Sequence, residues 1–370
     1  MMRSFALGCG LALLAGCVKQ GPPAPPPNES PVIPALHAPV YSVAPTDPKD
    51  HLVETMLVRL TEQLGARPAW DEALSGAAGS IAMELLDGNP TDEATVRWAA
   101  INAGWPYPIS HIEAVATEEN ALPPESFGAL LGGQSHVGMV RARGSAGEIW
   151  VALGSSPARL AAPFSKAWEV GDRFELPFSN IDGLTLSACG PEGPTRTTSP
   201  GERSVTLDHS GEWVVEARSE ASGSVILRAA LHVGEELPQT PPTSPREAPA
   251  SASERGNEIA SVVAEARSNF HEENLTVEPL LNSTAEATMV EWSVGGTIPG
   301  DMRFLNDLNI TAPPRAELHC IASTPRACVD QLYWSAEHRD ELLRSGYSGV
   351  GVAVSDDDQG LRAVIHLAAQ

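Results

Sequence analysis

Two stretches of this 370-residue chain repeat each other, and a repeat constrains fold more than any single motif because both copies must accept one architecture. Displacing residues 50–90 by 207 positions sets Met56 on Val263, Asp71 on Glu278, Leu74 on Leu281, Ala78 on Ala285 and Glu84 on Glu291. Displacing residues 130–155 by 213 positions sets Val137-Gly138 on Val350-Gly351, Gly147 on Gly360 and Val151 on Val364. Nearly equal offsets in the same order predict a duplicated α/β unit, one copy over 50–158 and one over 257–370.

Each copy opens with helical periodicity. Leu52, Met56, Leu57, Leu60 and Leu64 form one apolar stripe, and Leu74, Ala77, Ala78, Ile81, Ala82 and Leu85 form a second. Between the copies the period changes from helical to alternating. Short runs at 173–176, 184–187, 204–207, 213–216 and 225–227 are separated by turn signals such as Pro200-Gly201 and Ser210-Gly211, which predicts a small β-sandwich over 159–236. Residues 237–256, rich in Pro and Ser, cannot bury a core and are expected to be a linker.

The first residues are a processing segment rather than fold. Arg3 supplies a positive n-region, and Phe5 to Ala15 is an apolar run of about eleven residues, against the ~20 that a spanning helix needs. It ends in Leu14-Ala15-Gly16-Cys17, which resembles a bacterial lipobox and implies cleavage of 1–17 as a signal, with lipid carried on Cys17. The proline-rich stretch over 18–49 then reads as an extended stalk, since proline fixes φ and lacks a backbone donor. The expected location is the bacterial cell envelope, anchored to a membrane by lipid, on the outer membrane or cell surface. The net charge of −23, from 47 acidic and 24 basic residues without a Lys/Arg cluster, excludes a nucleic-acid partner. An exported chain can also close a disulfide between Cys320 and Cys328, against the alternative of two buried thiols, leaving Cys189 unpaired.

The most informative stretch is Tyr333-Trp334-Ser335-Ala336-Glu337-His338-Arg339-Asp340-Glu341-Leu342-Leu343, followed by Gly349-Val350-Gly351-Val352-Ala353. It resembles the bacterial CAP domain (cysteine-rich secretory protein, antigen 5 and pathogenesis-related 1, also called SCP), with Ala316-Glu317-Leu318 where members read G/A-E-N. The resemblance covers 257–370 and, through the repeat, reaches 50–155. It implies an α+β protein: a CAP-type α-β-α sandwich at the C-terminus, a divergent CAP-like α/β unit at the N-terminus and the β-sandwich between them. It also implies a cleft lined by two His and two acidic residues, able to hold a divalent metal such as zinc. Carried onto this chain, it offers Glu317 and His338 as catalytic or metal-ligating candidates.

The pattern departs from the family at three points, the first being that Trp334-Ser335 sits differently from the family's W-x-x-S. Glu291 to Gly296 contains no His where the second one is expected, and Leu318 replaces the Asn. His319 could stand in, but strand alternation is expected to turn it away from Glu317. In the first copy, Pro123 to Leu131 takes the place of the His-Arg helix, so that copy is expected to be structural. Tyr333 and Trp334 are expected in the core, and Arg339 is expected to anchor its helix to a carboxylate.

Other motifs fail on spacing. His271-Glu272 meets Leu275 at the second His position of H-E-x-x-H, His111-x-Glu113 lacks a C-x-x-C partner, and no G-x-S-x-G occurs. Asp356 to Gly360 reads as a hairpin turn rather than a calcium loop. The expectation is a non-catalytic ligand-binding or interaction module with no resident cofactor and an envelope ligand or protein as its partner. A peptidase-type hydrolase using Glu317 and His338 is the alternative.

Overall fold

The structure, a computed structural model, describes residues 38–369 apart from 44, 90, 145–146, 192–194, 200–201, 236–250, 269, 271–274, 296–301, 308–313 and 358–359. Cys17, most of the stalk, most of the linker and His271 lie outside the described residues. Backbone packing divides the chain into two compact units. The first holds residues 38–91, 95–165 and 177–179; the second holds 92–94, 166–176 and 180–369. The β-rich middle of the chain therefore shares a unit with the C-terminal copy.

The first unit contains β1 (Val40–Tyr41), α1 (His51–Leu64), β2 (Ala69–Trp70), α2 (Glu72–Leu86), α3 (Glu93–Ala103), β3 (His111–Thr117), β4 (His136–Gly144), β5 (Gly147–Ser155) and β6 (Phe164–Ser165). Both long helices begin where a side chain satisfies their free N–H groups. Asp50 accepts from the N–H groups of Leu52 and Val53, and Asp71 from those of Ala73 and Leu74. Val53, Met56, Leu57 and Leu60 of α1 pack with Val137, Met139, Trp150 and Ala152 of the sheet. In place of the C-terminal helix of the second copy, this one has a single 3-10 turn over Ala129–Leu131.

The second unit begins with β7 (Ala167–Trp168), β8 (Arg173–Glu175), β9 (Leu184–Cys189), β10 (Arg196–Thr197), β11 (Ser204–Thr206), β12 (Gly211–Ser219) and β13 (Val225–Val233). These form a five-stranded sheet in the order β10-β9-β12-β13-β7 and a separate β11-β8 ladder. Then come α4 (Ala252–Ser268), β14 (Thr276–Val277), α5 (Pro279–Gly295), α6 (Arg303–Asp307), β15 (Arg315–Ala322), α7 (Pro325–Tyr333), α8 (Ala336–Leu343), β16 (Gly349–Asp357) and β17 (Gly360–Ala368). Among the described residues no helix is long and apolar enough to cross a membrane.

The repeat is visible in strand order and register. One copy has the sheet β2-β4-β5-β3 and the other β14-β16-β17-β15. In each, a two-residue strand pairs in parallel with the first arm of a hairpin, Ala69 with His136 and Thr276 with Gly349. An antiparallel strand then joins the second arm, Ile112 opposite Leu153 and Glu317 opposite His366. A glycine lets the following helix touch the sheet. A Cβ on Gly138 would lie 2.2 Å from the carbonyl carbon of Leu74, and one on Gly351 would lie 2.1 Å from that of Leu281. The contact is sealed alike in both copies, Met139 N–H donating to Ser75 Oγ at 3.1 Å and Val352 N–H to Asn282 Oδ1 at 2.9 Å.

In the second copy the alternation of β16 defines two faces. Gly351 and Ala353 meet α5, which contributes Ala285, Met289 and Trp292, whereas Val352 and Val354 approach Gly256 of α4. Helices on both faces of one sheet make three layers, α-β-α. The mixed α+β class expected from the sequence is therefore present.

Candidate functional site

Glu317 and His319 sit two residues apart on β15, and two residues is one full strand period. Their side chains consequently share the α5 face. The expectation that His319 turns away is corrected: its Nε2 lies 3.4 Å from Glu317 Oε1. Register brings in a third group. His366 on β17 stands opposite Glu317, and its Nε2 lies 3.0 Å from Glu317 Oε2. The carboxylate is thus flanked by two imidazoles, one at each oxygen.

Helix α5 closes the cluster from above. Thr284 Oγ1 is 2.7 Å from His366 Nδ1, and one turn later Thr288 donates to Glu317 Oε2 at 3.4 Å. Another turn on, Trp292 meets the His319 ring edge-to-face, centroids 5.7 Å apart. The layer is largely dry, the side chains of His366, Glu317 and His319 being 0%, 3% and 12% exposed. Burial pulls the His319 pKa below its ordinary value. Glu317 opposes that shift, and His366 and His338 reinforce it. Glu317 Oε1 and His319 Nε2 are buried and make no hydrogen bond.

The resemblance placed His338 beside Glu317. In the structure no hydrogen bond or ion pair joins the two. His338 Nδ1 lies 3.0 Å from Ser335 Oγ, at the start of α8, and burial lowers the pKa of its ring. Among the described residues no group of three or more His, Cys, Asp or Glu is placed to hold a metal ion. The Glu317 and His338 pair therefore does not fit a divalent metal, and no chemical step is routed through one.

The neighbours of His338 hold the domain together. Arg339 is fully buried, pairs with Glu212 at 3.2 Å and lies 4.2 Å from the Tyr333 ring centre. Tyr333 donates its hydroxyl to Glu212 at 2.8 Å, and Trp334 donates to Asp330 at 2.9 Å. These are the anchoring and core roles expected of them. Cys320 and Cys328 form a disulfide that ties β15 to α7, and Cys189 is a buried free thiol.

Sequence reasoning missed His366, Thr284 and Thr288. Their signal was faint: one polar residue in the apolar run 363–367, and two threonines four apart on α5. Only the strand register, which joins residues 49 apart in sequence, reveals the cluster.

No family model matches the sequence, and no curated protein matches it. Solved structures similar to the chain include an outer surface protein of Borrelia burgdorferi (14% identity, TM-score 0.30, 33% of this chain and 96% of that one). Another is an extracellular protein containing an SCP domain from Bacillus anthracis str. Ames (14% identity, TM-score 0.29, 43% of this chain and 57% of that one). A third is a cysteine-rich secretory protein from Staphylococcus aureus subsp. aureus Mu50 (12% identity, TM-score 0.29, 71% of this chain and 85% of that one). Likenesses at this level carry neither fold nor activity to this chain.

Proposed function

We propose that this is an exported, lipid-anchored envelope protein of CAP-like architecture that binds a ligand or partner without catalysing its turnover. In this reading the second copy carries the site and the first is scaffold. One observation carries it. The polar layer beneath α5 (Thr284, Thr288, Glu317, His319, His366) has apolar counterparts in the first copy. By the same offsets and register these are Ala77, Ile81 and Leu153, which are buried, Ile112, which is half-buried, and Ala114, which is exposed. A fold that stands with an apolar layer does not need a polar one for stability. The disulfide supports export, because such bonds persist in oxidising compartments. The three-layer sandwich and the Ser335 to Leu343 segment support the CAP-like reading.

Two measurements test it. Cys17→Ser is expected to move the protein from the membrane fraction to the soluble one; unchanged fractionation would remove the lipid anchor. Wild-type and Glu317→Gln protein are then incubated with a peptide library. The same uncleaved library from both agrees with a binding role. Cleavage that disappears in Glu317→Gln would overturn that role and establish a hydrolase.

A further inference from the structure

We propose that the outer edge of β15 pairs with the same edge of a second copy of this chain. The two strands run antiparallel about Leu318, so that Glu317 of each copy stands opposite His319 of the other. The proposal rests on the binding reading and names a partner for it.

Register shows which way the backbone of β15 points. This strand ends the sheet β14-β16-β17-β15, and among the described residues no strand lies beyond it. Ala369 N–H donates to the Pro314 carbonyl at 3.0 Å, one step outside the pairing of Arg315 with Ala368. Bonded and non-bonded pairs alternate along an antiparallel ladder. The even residues from Ala316 to Ala322 therefore bond β17, and Arg315, Glu317, His319 and Ile321 turn their N–H and C=O groups outward. Exposure agrees, since the even residues are buried and these four are not. Glu317 as a whole is half-buried although its side chain is only 3% exposed, so what it shows to solvent is main chain. A row of outward donors and acceptors is a template for another strand.

The side chains select both occupant and register. Outward groups meet outward groups only where an odd residue of one strand stands opposite an odd residue of the other. An axis at Leu318 sets Glu317 opposite His319 and Arg315 opposite Ile321, each contact occurring twice. The carboxylate then faces an imidazole, and the arginine stem covers Ile321, an exposed apolar side chain. Moving the axis to Glu317 sets carboxylate against carboxylate. Moving it to His319 sets imidazole against imidazole. Like groups directly opposite are disfavoured, so one register stands out. It is self-complementary, as a two-fold interface must be.

The test measures the mass of the full chain by light scattering over a dilution series. The chain carries Cys17→Ser, so that lipid does not cluster it. A dimer that dissociates on dilution is expected. Ile321→Lys places a cation opposite Arg315 and should weaken the dimer by about tenfold or more. Ile321→Pro removes an outward N–H, leaves the bonds to β17 in place and should act alike. Thermal unfolding of both variants reports on folding. Val294→Lys, on the exposed outer face of α5, should leave the dimer within about twofold. Directly opposed bonded residues lie about 5.5 Å apart at Cα, within disulfide reach. The double variant Arg315→Cys, Ile321→Cys should therefore cross-link two copies under oxidation, and neither single variant should. A monomer at every concentration overturns the pairing, as does a dimer that both Ile321 variants leave intact. Loss of the dimer in Val294→Lys overturns it in favour of the α5 face, and cross-linking by Ile321→Cys alone overturns the register. Each of these leaves ligand binding at the α5 layer standing, whereas peptide cleavage abolished by Glu317→Gln brings down the non-catalytic reading and this proposal with it.

Discussion

One buried ion cluster of the first copy lies beneath α1, and the Glu317 cluster of the second lies beneath α5, on the opposite face of the equivalent sheet. Arg141 in the first copy sits between Asp50 at 2.8 Å and Glu148 at 2.9 Å, all three nearly dry. The offsets put Asn257, Val354 and Leu361 at those places in the second copy. Conversely, Glu317, His319 and His366 correspond to Ile112, Ala114 and Leu153. The backbone tolerates either face being polar. What differs is the link to a helix. The Asp50 carboxylate holds the first turn of α1 while it pairs with Arg141, so that cluster is part of how the copy folds. Each cluster leaves a buried carboxylate oxygen without a hydrogen bond, Glu148 Oε2 in the first and Glu317 Oε1 in the second, but the Glu317 cluster caps no helix.

That contrast predicts unequal responses to mutation. Arg141→Met takes the buried cation from Asp50 and leaves Glu148 with Arg143 alone, and is expected to cost about 3 kcal/mol, read as a lower denaturant midpoint. A loss below about 1 kcal/mol would mean that the first cluster is no more structural than the second. Next in size is a test of the shared backbone. Gly138→Ala and Gly351→Ala each drive a Cβ into helix backbone, so each should cost about 2–3 kcal/mol. A large loss at one site alone would break the equivalence of the copies.

Much of this fold was legible in the sequence. The stripes at 52–64 and 74–85 became α1 and α2, and the five alternating runs between the copies all became strands. Gly138 and Gly351 stood out as aligned identities of the repeat, and the structure supplies the reason: a Cβ at either would meet helix backbone. The site was less legible. Glu317 was found through a family motif, but His319 was oriented wrongly, and His366 was invisible until register placed it across from Glu317. Periodicity reports which face a residue takes within its own strand. It does not report which residue of another strand it will meet.

The sharpest test of the division of labour is to give the second copy the first copy's residues. The quintuple variant Thr284→Ala, Thr288→Ile, Glu317→Ile, His319→Ala, His366→Leu removes the buried polar layer as a set rather than breaking it. Such replacements are often neutral or stabilising by about 1–4 kcal/mol. We expect the unfolding midpoint to hold or rise. Destabilisation by more than about 1 kcal/mol would make the layer structural and remove the main support for a binding role.

The smallest effect separates the copies by pH. Burial holds the His319 pKa below the ordinary value near 6.5, whereas Ala114 at the matching place does not titrate. Between the lowered folded value and the unfolded one, the unfolded chain binds more protons, so stability rises with pH. The contribution is complete above about pH 6.5 and is lost as pH falls through the folded pKa. A single proton limits the slope to about 1.4 kcal/mol per pH unit, and the residual solvent exposure of His319 makes it smaller. Denaturant midpoints measured from pH 7 downward should therefore fall less steeply in His319→Ala than in wild type. Equal slopes would mean that His319 takes up its proton without cost, by closing its 3.4 Å gap to Glu317 as an ion pair. The layer would then be satisfied by a proton, and the second copy would differ from the first in composition alone.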